Sequence, residues 1–252
     1  MFTRLISPAL SLLRLPALAS QCAVCHSWPT AQVCQPCVTR FTPTPPRCVR
    51  CALALPVTLM HRLDANALCS ECLRELPPLD GTLVALPYAY PWSSLITRYK
   101  FGQQHGWAGF FASLMRQTPG VVQLLNHLEP QDWLIPLPLS DQRLQTRGFN
   151  QAWELARALA AQTATPAQAD ARLLLRMRHT RAQSELHRHD RLVNIQGAFQ
   201  VDPLRVHALQ GRAVVLVDDV MTTGASLFEA ARTLREAGAA SVTAVVLART
   251  AA

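Results

Sequence analysis

Val217-Asp218-Asp219-Val220-Met221-Thr222-Thr223-Gly224-Ala225-Ser226 is the stretch on which the reading of this chain turns. The run Ala213 to Val217 leading into it is apolar and predicts a buried strand. Beyond it, Leu227, Phe228, Ala231 and Leu234 share one face of a helix. Two carboxylates therefore end a strand, and a hydroxyl-rich turn opens a helix. A helix start presents unpaired N–H groups and the positive end of a dipole, which suits phosphate. Thr222, Thr223 and Ser226 add hydroxyl donors, and Gly224 lets the backbone come close to a ligand. Asp218 and Asp219 are acceptors for sugar hydroxyls, or for Mg²⁺ held mainly through water and substrate oxygens. An acidic pair beside a phosphate cradle describes a ribose-5-phosphate site.

The segment resembles the phosphoribosyl-pyrophosphate (PRPP) signature of type I phosphoribosyltransferases. That resemblance implies that Asp218 and Asp219 bind the ribose 2′- and 3′-hydroxyls. It also implies that the turn Thr222, Thr223, Gly224, Ala225 and Ser226 binds the 5-phosphate. The familiar motif often ends Gly-x-Thr; Ser226 keeps the hydroxyl.

Outward from this segment the chain has two characters. From Gly81 onward there is no cysteine, and apolar stretches near 83–88, 133–138, 172–176, 213–218 and 242–248 read as strands. Helical patterns fall near 92–101, 106–117, 150–161, 183–194 and 226–237. The alternation predicts an α/β fold, a mostly parallel sheet with helices on both faces, whose ligands gather at the carboxyl ends of the strands. All eight cysteines lie before it, as Cys22/Cys25, Cys34/Cys37, Cys48/Cys51 and Cys69/Cys72, with gaps of 8, 10 and 17 residues. Each Cys-x-x-Cys offers two sulfurs to one metal, so four pairs predict two structural Zn²⁺ sites. Sequential and cross-braced pairings fit the same spacing. A disulfide framework and redox chemistry are the alternatives, the first of which would need a secretory leader. His26 reads as a bystander. The expected domains are a helical segment at 1–21, a double zinc-ribbon module at 22–78 and a phosphoribosyltransferase-like domain at 79–252.

The formal charge is +8, and eight thiolates on two divalent ions would bring it down by four, to about +4. A basic protein of this kind favours an anionic partner. Of 24 basic residues only Lys100 is lysine, which suggests a site that wants a compact ammonium rather than a planar fork. No window of eighteen uncharged apolar residues exists, so a membrane span is not expected. The apolar start, Met1 to Gln21, can be read as a leader, but Pro8, Arg14 and Pro16 interrupt it. An amphipathic helix and a cytoplasmic location are expected instead, since a PRPP site and zinc-bound thiolates suit reducing surroundings.

Two further segments carry basic groups. After the strand near 133–138, Asp141 to Gln151 reads as a loop whose Arg143 and Arg147 are placed to reach a pyrophosphate. The stretch 172–197 is the most basic of all, and Arg178, Arg181 and Arg188 are the expected DNA contacts. A solvated helix face and a mobile lid are the other readings of that stretch.

Over nearly its whole length the chain resembles the ComF/GntX family. The carriers are the paired cysteines, Tyr99-Lys100-Phe101, Pro136-Leu137-Pro138-Leu139 and Arg147-Gly148-Phe149-Asn150-Gln151. They continue through Arg176 to Gln183 and Arg191 to Phe199 and end with the Asp-Asp-turn segment. The resemblance implies PRPP binding with Mg²⁺, contact with single-stranded DNA and with DNA-uptake machinery, and a role in competence or in using DNA as a nutrient. Phosphoribosyl transfer would rest on Asp218, Asp219 and Arg147, with Arg143 and Lys100 holding phosphate. The alternative is a non-catalytic nucleic-acid or protein adaptor with a vestigial PRPP site.

Overall fold

The apolar runs of this chain build a five-stranded sheet in the computed structural model. Residues 20–28, 31–56, 66–102, 104, 106–177 and 195–251 are described. In chain order the elements are α1 (Gln35–Phe41), α2 (Ser70–Arg74), β1 (Gly81–Pro87), α3 (Trp92–Phe101), α4 (Trp107–Gln117) and α5 (Val121–Asn126). Then come β2 (Trp133–Pro136), α6 (Asp141–Arg147), α7 (Gln151–Thr163), β3 (Gln168–Ala169), β4 (Leu174–Arg176) and β5 (Phe199–Val201). The chain closes with β6 (Ala213–Met221), α8 (Ala225–Glu236) and β7 (Ser241–Arg249).

The sheet is parallel throughout, in the order β1-β7-β6-β2-β3. Val214 and Leu216 of β6 and Val242, Ala244 and Val246 of β7 join one buried cluster with Leu227, Ala230, Ala231 and Leu234 of α8. Val215, Val217, Val245 and Leu247, of opposite parity, are buried too. Helices α4 and α7 pack against the sheet as well as on each other. Both faces are thus covered, the arrangement a parallel sheet requires. The fold is the expected α/β phosphoribosyltransferase-like one.

Two elements differ from the sequence expectation. The stretch 172–176 does not join the parallel sheet; β4 instead pairs antiparallel with β5 in a two-stranded sheet. The cause is local. The Asp170 carboxylate accepts the N–H groups of Arg172 and Leu173 at 2.6 and 2.8 Å, an Asx turn that redirects the chain after two residues of β3. The segment after β2, read as a loop, begins with a two-turn helix, α6. It buries none of its residues, so no apolar stripe marked it. Gly148, at φ +78°, ends it, and Asn150 caps α7 by accepting N–H groups from Ala152 and Trp153. The amphipathic helix expected at 1–21, the helical pattern at 183–194 and Arg178, Arg181 and Arg188 lie outside the described residues, save Ser20 and Gln21 of the first.

Two compact units are present, Met1–Phe41 and Thr42–Ala252. The division falls at Phe41, inside the 22–78 stretch that the sequence assigns to one module. Cys48, Cys51, Cys69 and Cys72 belong to the larger unit and share its buried cluster with Leu79, Val84, Leu216 and Met221. No helix among the described residues is long and apolar enough to cross a membrane.

Candidate ribose-phosphate site and metal centres

Strand β6 is buried from Val214 to Val217 and then delivers Asp218 and Asp219 at its carboxyl end. Burial and the neighbouring Asp219 push the Asp218 carboxyl up to about 7, against the pull of Lys100 and a hydrogen bond from the Asp219 N–H at 2.8 Å. Asp219 is met by Lys100, whose Nζ lies 3.0 Å from its Oδ1. Lys100 reaches this point because Leu95, Ile96 and Tyr99 bury the other face of α3. Tyr99 is fixed in turn: its hydroxyl donates to the Gln151 carbonyl at 3.0 Å, and its ring packs edge-on against Phe111 and Phe149.

Helix α6 carries Arg143 and Arg147 one turn apart, so both project from one side. Arg147 donates from Nη1 to Gln151 Oε1 at 2.9 Å, and its guanidinium lies 5.1 Å from the centre of the Phe101 ring. Burial and repulsion from Arg147 lower the Arg143 value, while Asp219 and Asp218 oppose the change. Arg176, at the end of β4, sits 5.3 Å from the centre of the Phe199 ring. Burial and Arg143 bring it down to about 10, still cationic at neutral pH. Together these groups line a cleft of about 430 Å³ that includes Tyr88, Phe101, Asn150, Thr222 and Ser226. A niche of about 30 Å³ lined by Asp218, Thr222, Gly224 and Ser226 adjoins it at the start of α8.

Gly224 has φ +87°, and an added Cβ would stand 2.6 Å from Met221 Cε and from the Phe228 ring. The tight turn therefore demands glycine. Thr223 Oγ1 accepts the Ala225 N–H at 3.4 Å, and Ala225 is buried, so these two shape the turn rather than line the cleft. Four cations, Lys100, Arg143, Arg147 and Arg176, surround two carboxylates. The imbalance favours a ligand carrying several negative charges and hydroxyl groups. Arg176, Tyr88 and Phe101 were not assigned to the site from sequence. Only tertiary structure brings a residue of the hairpin β4–β5 and one from beyond β1 to the same cleft.

The cysteines form two groups, Cys22, Cys25, Cys34 and Cys37, and Cys48, Cys51, Cys69 and Cys72, the sulfurs of each lying within 4.8 Å of one another. Pairing is therefore sequential, and none of the eight is in a disulfide. Tetrahedral zinc with Zn–S near 2.3 Å needs sulfurs about 3.8 Å apart. Cys25 and Cys34 stand 3.6 Å apart, as do Cys51 and Cys69, so both groups fit such an ion. The backbone is prepared for thiolates: Val24 and Cys34 N–H groups each lie 3.4 Å from Cys22 Sγ. Against the effect of burial, such bonds lower Cys22 to about 6 and Cys48 to about 7. His26 belongs to neither group.

The phosphoribosyl transferase domain family matches residues 146–252. Competence protein F of Haemophilus influenzae is 31% identical over 204 residues, 81% of this chain and 85% of that protein. DNA utilization protein YhgH of Escherichia coli K12 is 30% identical over 239 residues, covering 95% of this chain and all of that one. Competence protein ComFC of Bacillus subtilis is 30% identical over 193 residues, 74% of each.

Purified protein should carry about two zinc ions. Cys25→Ser and Cys51→Ser should each remove about one, but only Cys51→Ser should lower the unfolding midpoint of the larger unit. Elemental analysis and calorimetry check both statements. Asp218 should make stability depend on pH. Its folded value, raised to about 7, exceeds the ordinary carboxylate value, so the folded chain holds the extra proton between about pH 4 and 7. Stability from this group is complete below about pH 4 and is lost as pH rises through 7. Asp218→Asn should therefore raise the melting temperature by several degrees at pH 8 and by little at pH 4; equal gains at both would overturn the burial argument.

Proposed function

Because the chain belongs to the ComF/GntX-like family, in which two four-cysteine clusters precede a phosphoribosyltransferase-like domain, we propose that it binds PRPP together with single-stranded DNA and serves DNA uptake or the use of DNA as a nutrient. The observation that carries this reading is the cleft itself: a phosphate niche at a helix start, an acidic pair beside it, and four cations around both. The names of the relatives, competence proteins and DNA utilization proteins, support the cellular role.

In this reading Asp218 and Asp219 accept the ribose hydroxyls. Thr222, Ser226 and the N–H groups opening α8 take the 5-phosphate, on a turn that Thr223 shapes. Arg143, Arg147 and Arg176 hold the pyrophosphate, where forked donors match paired oxygens. Mg²⁺ fits the same acidic edge and supplies charge neutralisation on the pyrophosphate. Lys100 now neutralises Asp219, so an arriving ribose hydroxyl must displace it, and its ammonium is then delivered to phosphate. In phosphoribosyl transfer the bond from C1 to pyrophosphate breaks as a nucleophile arrives on the other side. Positive charge develops on the ribose and negative charge on the departing oxygens. The acidic pair and the three arginines face those two charges respectively. The Phe101 ring, 62% exposed and backed by Arg147, offers a flat apolar surface to an acceptor base or to a nucleotide of the DNA strand.

PRPP with Mg²⁺ at about a hundred times its Kd should stabilise the protein by about 2.7 kcal/mol, roughly 5–10 °C in the melting temperature for a chain this size. The double variant Asp218→Asn, Asp219→Asn should lose that shift, and Lys100→Arg should reduce it. A full shift in the double variant would remove the ribose-site assignment. Pyrophosphate release with any nucleobase makes the protein a transferase; binding without turnover makes it an adaptor.

Single-stranded DNA should bind with strong salt dependence, at a slope near −0.7 per phosphate contact. Replacing Arg178, Arg181 and Arg188 together should flatten that slope by roughly two. A slope unchanged by the triple replacement would send the DNA path elsewhere on the protein.

A further inference from the structure

The second cysteine group is tied to the phosphate turn by one buried side chain. Arg249 ends β7 and is 7% exposed. Its Nε donates to the carbonyl of Cys51 at 3.1 Å. Its Nη1 donates to the carbonyl of Met221 at 3.3 Å and to that of Thr222. Nη1 also reaches the Thr250 carbonyl and hydroxyl, both at 3.1 Å, and the Thr250 hydroxyl bonds the Thr222 carbonyl at 3.5 Å. One guanidinium thus grips a cysteine of the metal centre with one nitrogen and the first residues of the phosphate turn with another. Its planar fork fixes the distance between them, as a lysine could not.

The metal centre is itself anchored to the sheet. The Thr82 N–H donates to the Val49 carbonyl at 2.9 Å, and the Thr82 hydroxyl to the Arg50 carbonyl at 2.6 Å. Arg50 Nη1 donates to the Leu79 carbonyl at 2.6 Å, and Arg47 Nη1 to the Ala52 carbonyl at 2.9 Å. Cys48 and Cys51 are therefore built into β1 on one side and into the phosphate turn, through Arg249, on the other. Burying a guanidinium is costly unless carbonyl dipoles offset the lost hydration. Cys51, Met221 and Thr222 supply those dipoles, and the Cys51 carbonyl keeps its place only while the cysteine knuckle keeps its shape.

We propose that Arg249 is a positioning residue that makes sugar-phosphate binding depend on metal at the second four-cysteine group. This proposal rests on the ribose-phosphate reading of the cleft. When the knuckle Cys48–Cys51 holds its metal, the Cys51 carbonyl fixes Arg249, and Arg249 fixes the carbonyls of Met221 and Thr222. The N–H groups that follow then point into the niche. When the metal leaves, the knuckle loosens, Arg249 loses one anchor, and the turn loses its preset geometry. The first four-cysteine group has no part in this.

Two measurements on the full chain test it. Hydrogen exchange reads the turn without any ligand, and calorimetric titration reads PRPP with Mg²⁺. Arg249→Lys should keep both zinc ions and stay folded, at a lowered melting temperature, since buried carbonyls lose their donors. It should exchange faster at Thr222–Ser226 and bind PRPP at least tenfold more weakly. Removing zinc from the second group with Cys51→Ser should give the same two effects, whereas Cys25→Ser should give neither. Should Cys51→Ser fail to fold, timed chelation of the parent, followed by zinc return, gives the same comparison. Parent-like exchange at Thr222–Ser226 in Arg249→Lys, or after zinc leaves the second group, overturns the proposal. Unchanged PRPP affinity in either overturns it too. A parent protein that never binds PRPP, but whose turn loosens in Arg249→Lys, overturns the ribose-phosphate reading and leaves the mechanical coupling standing.

Discussion

Everything at the site follows from one constraint: β6 runs from a dry interior directly into two adjacent carboxylates. Val215, Leu216 and Val217 are almost wholly removed from water, and Asp218 follows with no spacer. Two like charges at the edge of a low-dielectric core repel each other and lose solvation. The Asp218 value near 7 records that penalty. The surroundings answer it with Lys100 at 3.0 Å from Asp219 and with arginines from α6 and β4. Those cations are what a polyanionic ligand needs, so the groups that make the acidic pair tolerable also give the cleft an excess of positive charge.

How much of this could be read from the chain depends on the range of the interaction. The strand, turn and helix around 217–226 were legible because periodicity and a φ-positive glycine are local signals. Cysteine spacing is local too, and the four pairs implied two metal groups; which pair joins which is a tertiary fact, settled by the sulfur positions. Helix α6 escaped because a short helix that buries nothing leaves no hydrophobic stripe. The departure of 172–176 from the main sheet hung on one Asp170 side chain intercepting two backbone donors. A run of strand-forming residues does not reveal such an interception. Arg176 was legible as a basic residue, but its place beside Asp218 depends on the hairpin that this turn creates.

Lys100 shows the difference between residue type and partner. Its solitude among arginines pointed to a site that wants a point charge. The structure gives it Asp219 as partner, an ion pair held in a half-closed cleft. Arg147, four residues from Gln151, is instead a planar donor bonded to the Gln151 amide and lying over the Phe101 ring. A compact ammonium can exchange one oxygen for another by rotating its stem, whereas a planar fork bonded to an amide is held in one orientation. The site thus combines one movable cation with fixed ones.

The two cysteine groups look alike in sequence and differ in what surrounds them. In the small unit Cys22 and Cys37 are buried, but Cys25 is exposed and Cys34 half-buried. All four ligands of the other group are buried, and they share a core with Val84, Leu216 and Met221. An ion bound there would stabilise more than a knuckle, because β6, which carries the acidic pair, packs into the same cluster. The carbonyl of one of its cysteines accepts a hydrogen bond from Arg249, at the strand end next to the Thr222–Ser226 turn. A metal centre placed this way acts as part of the sheet. Its loss is felt at the end of β6, where two carboxylates leave the core with little energy to spare.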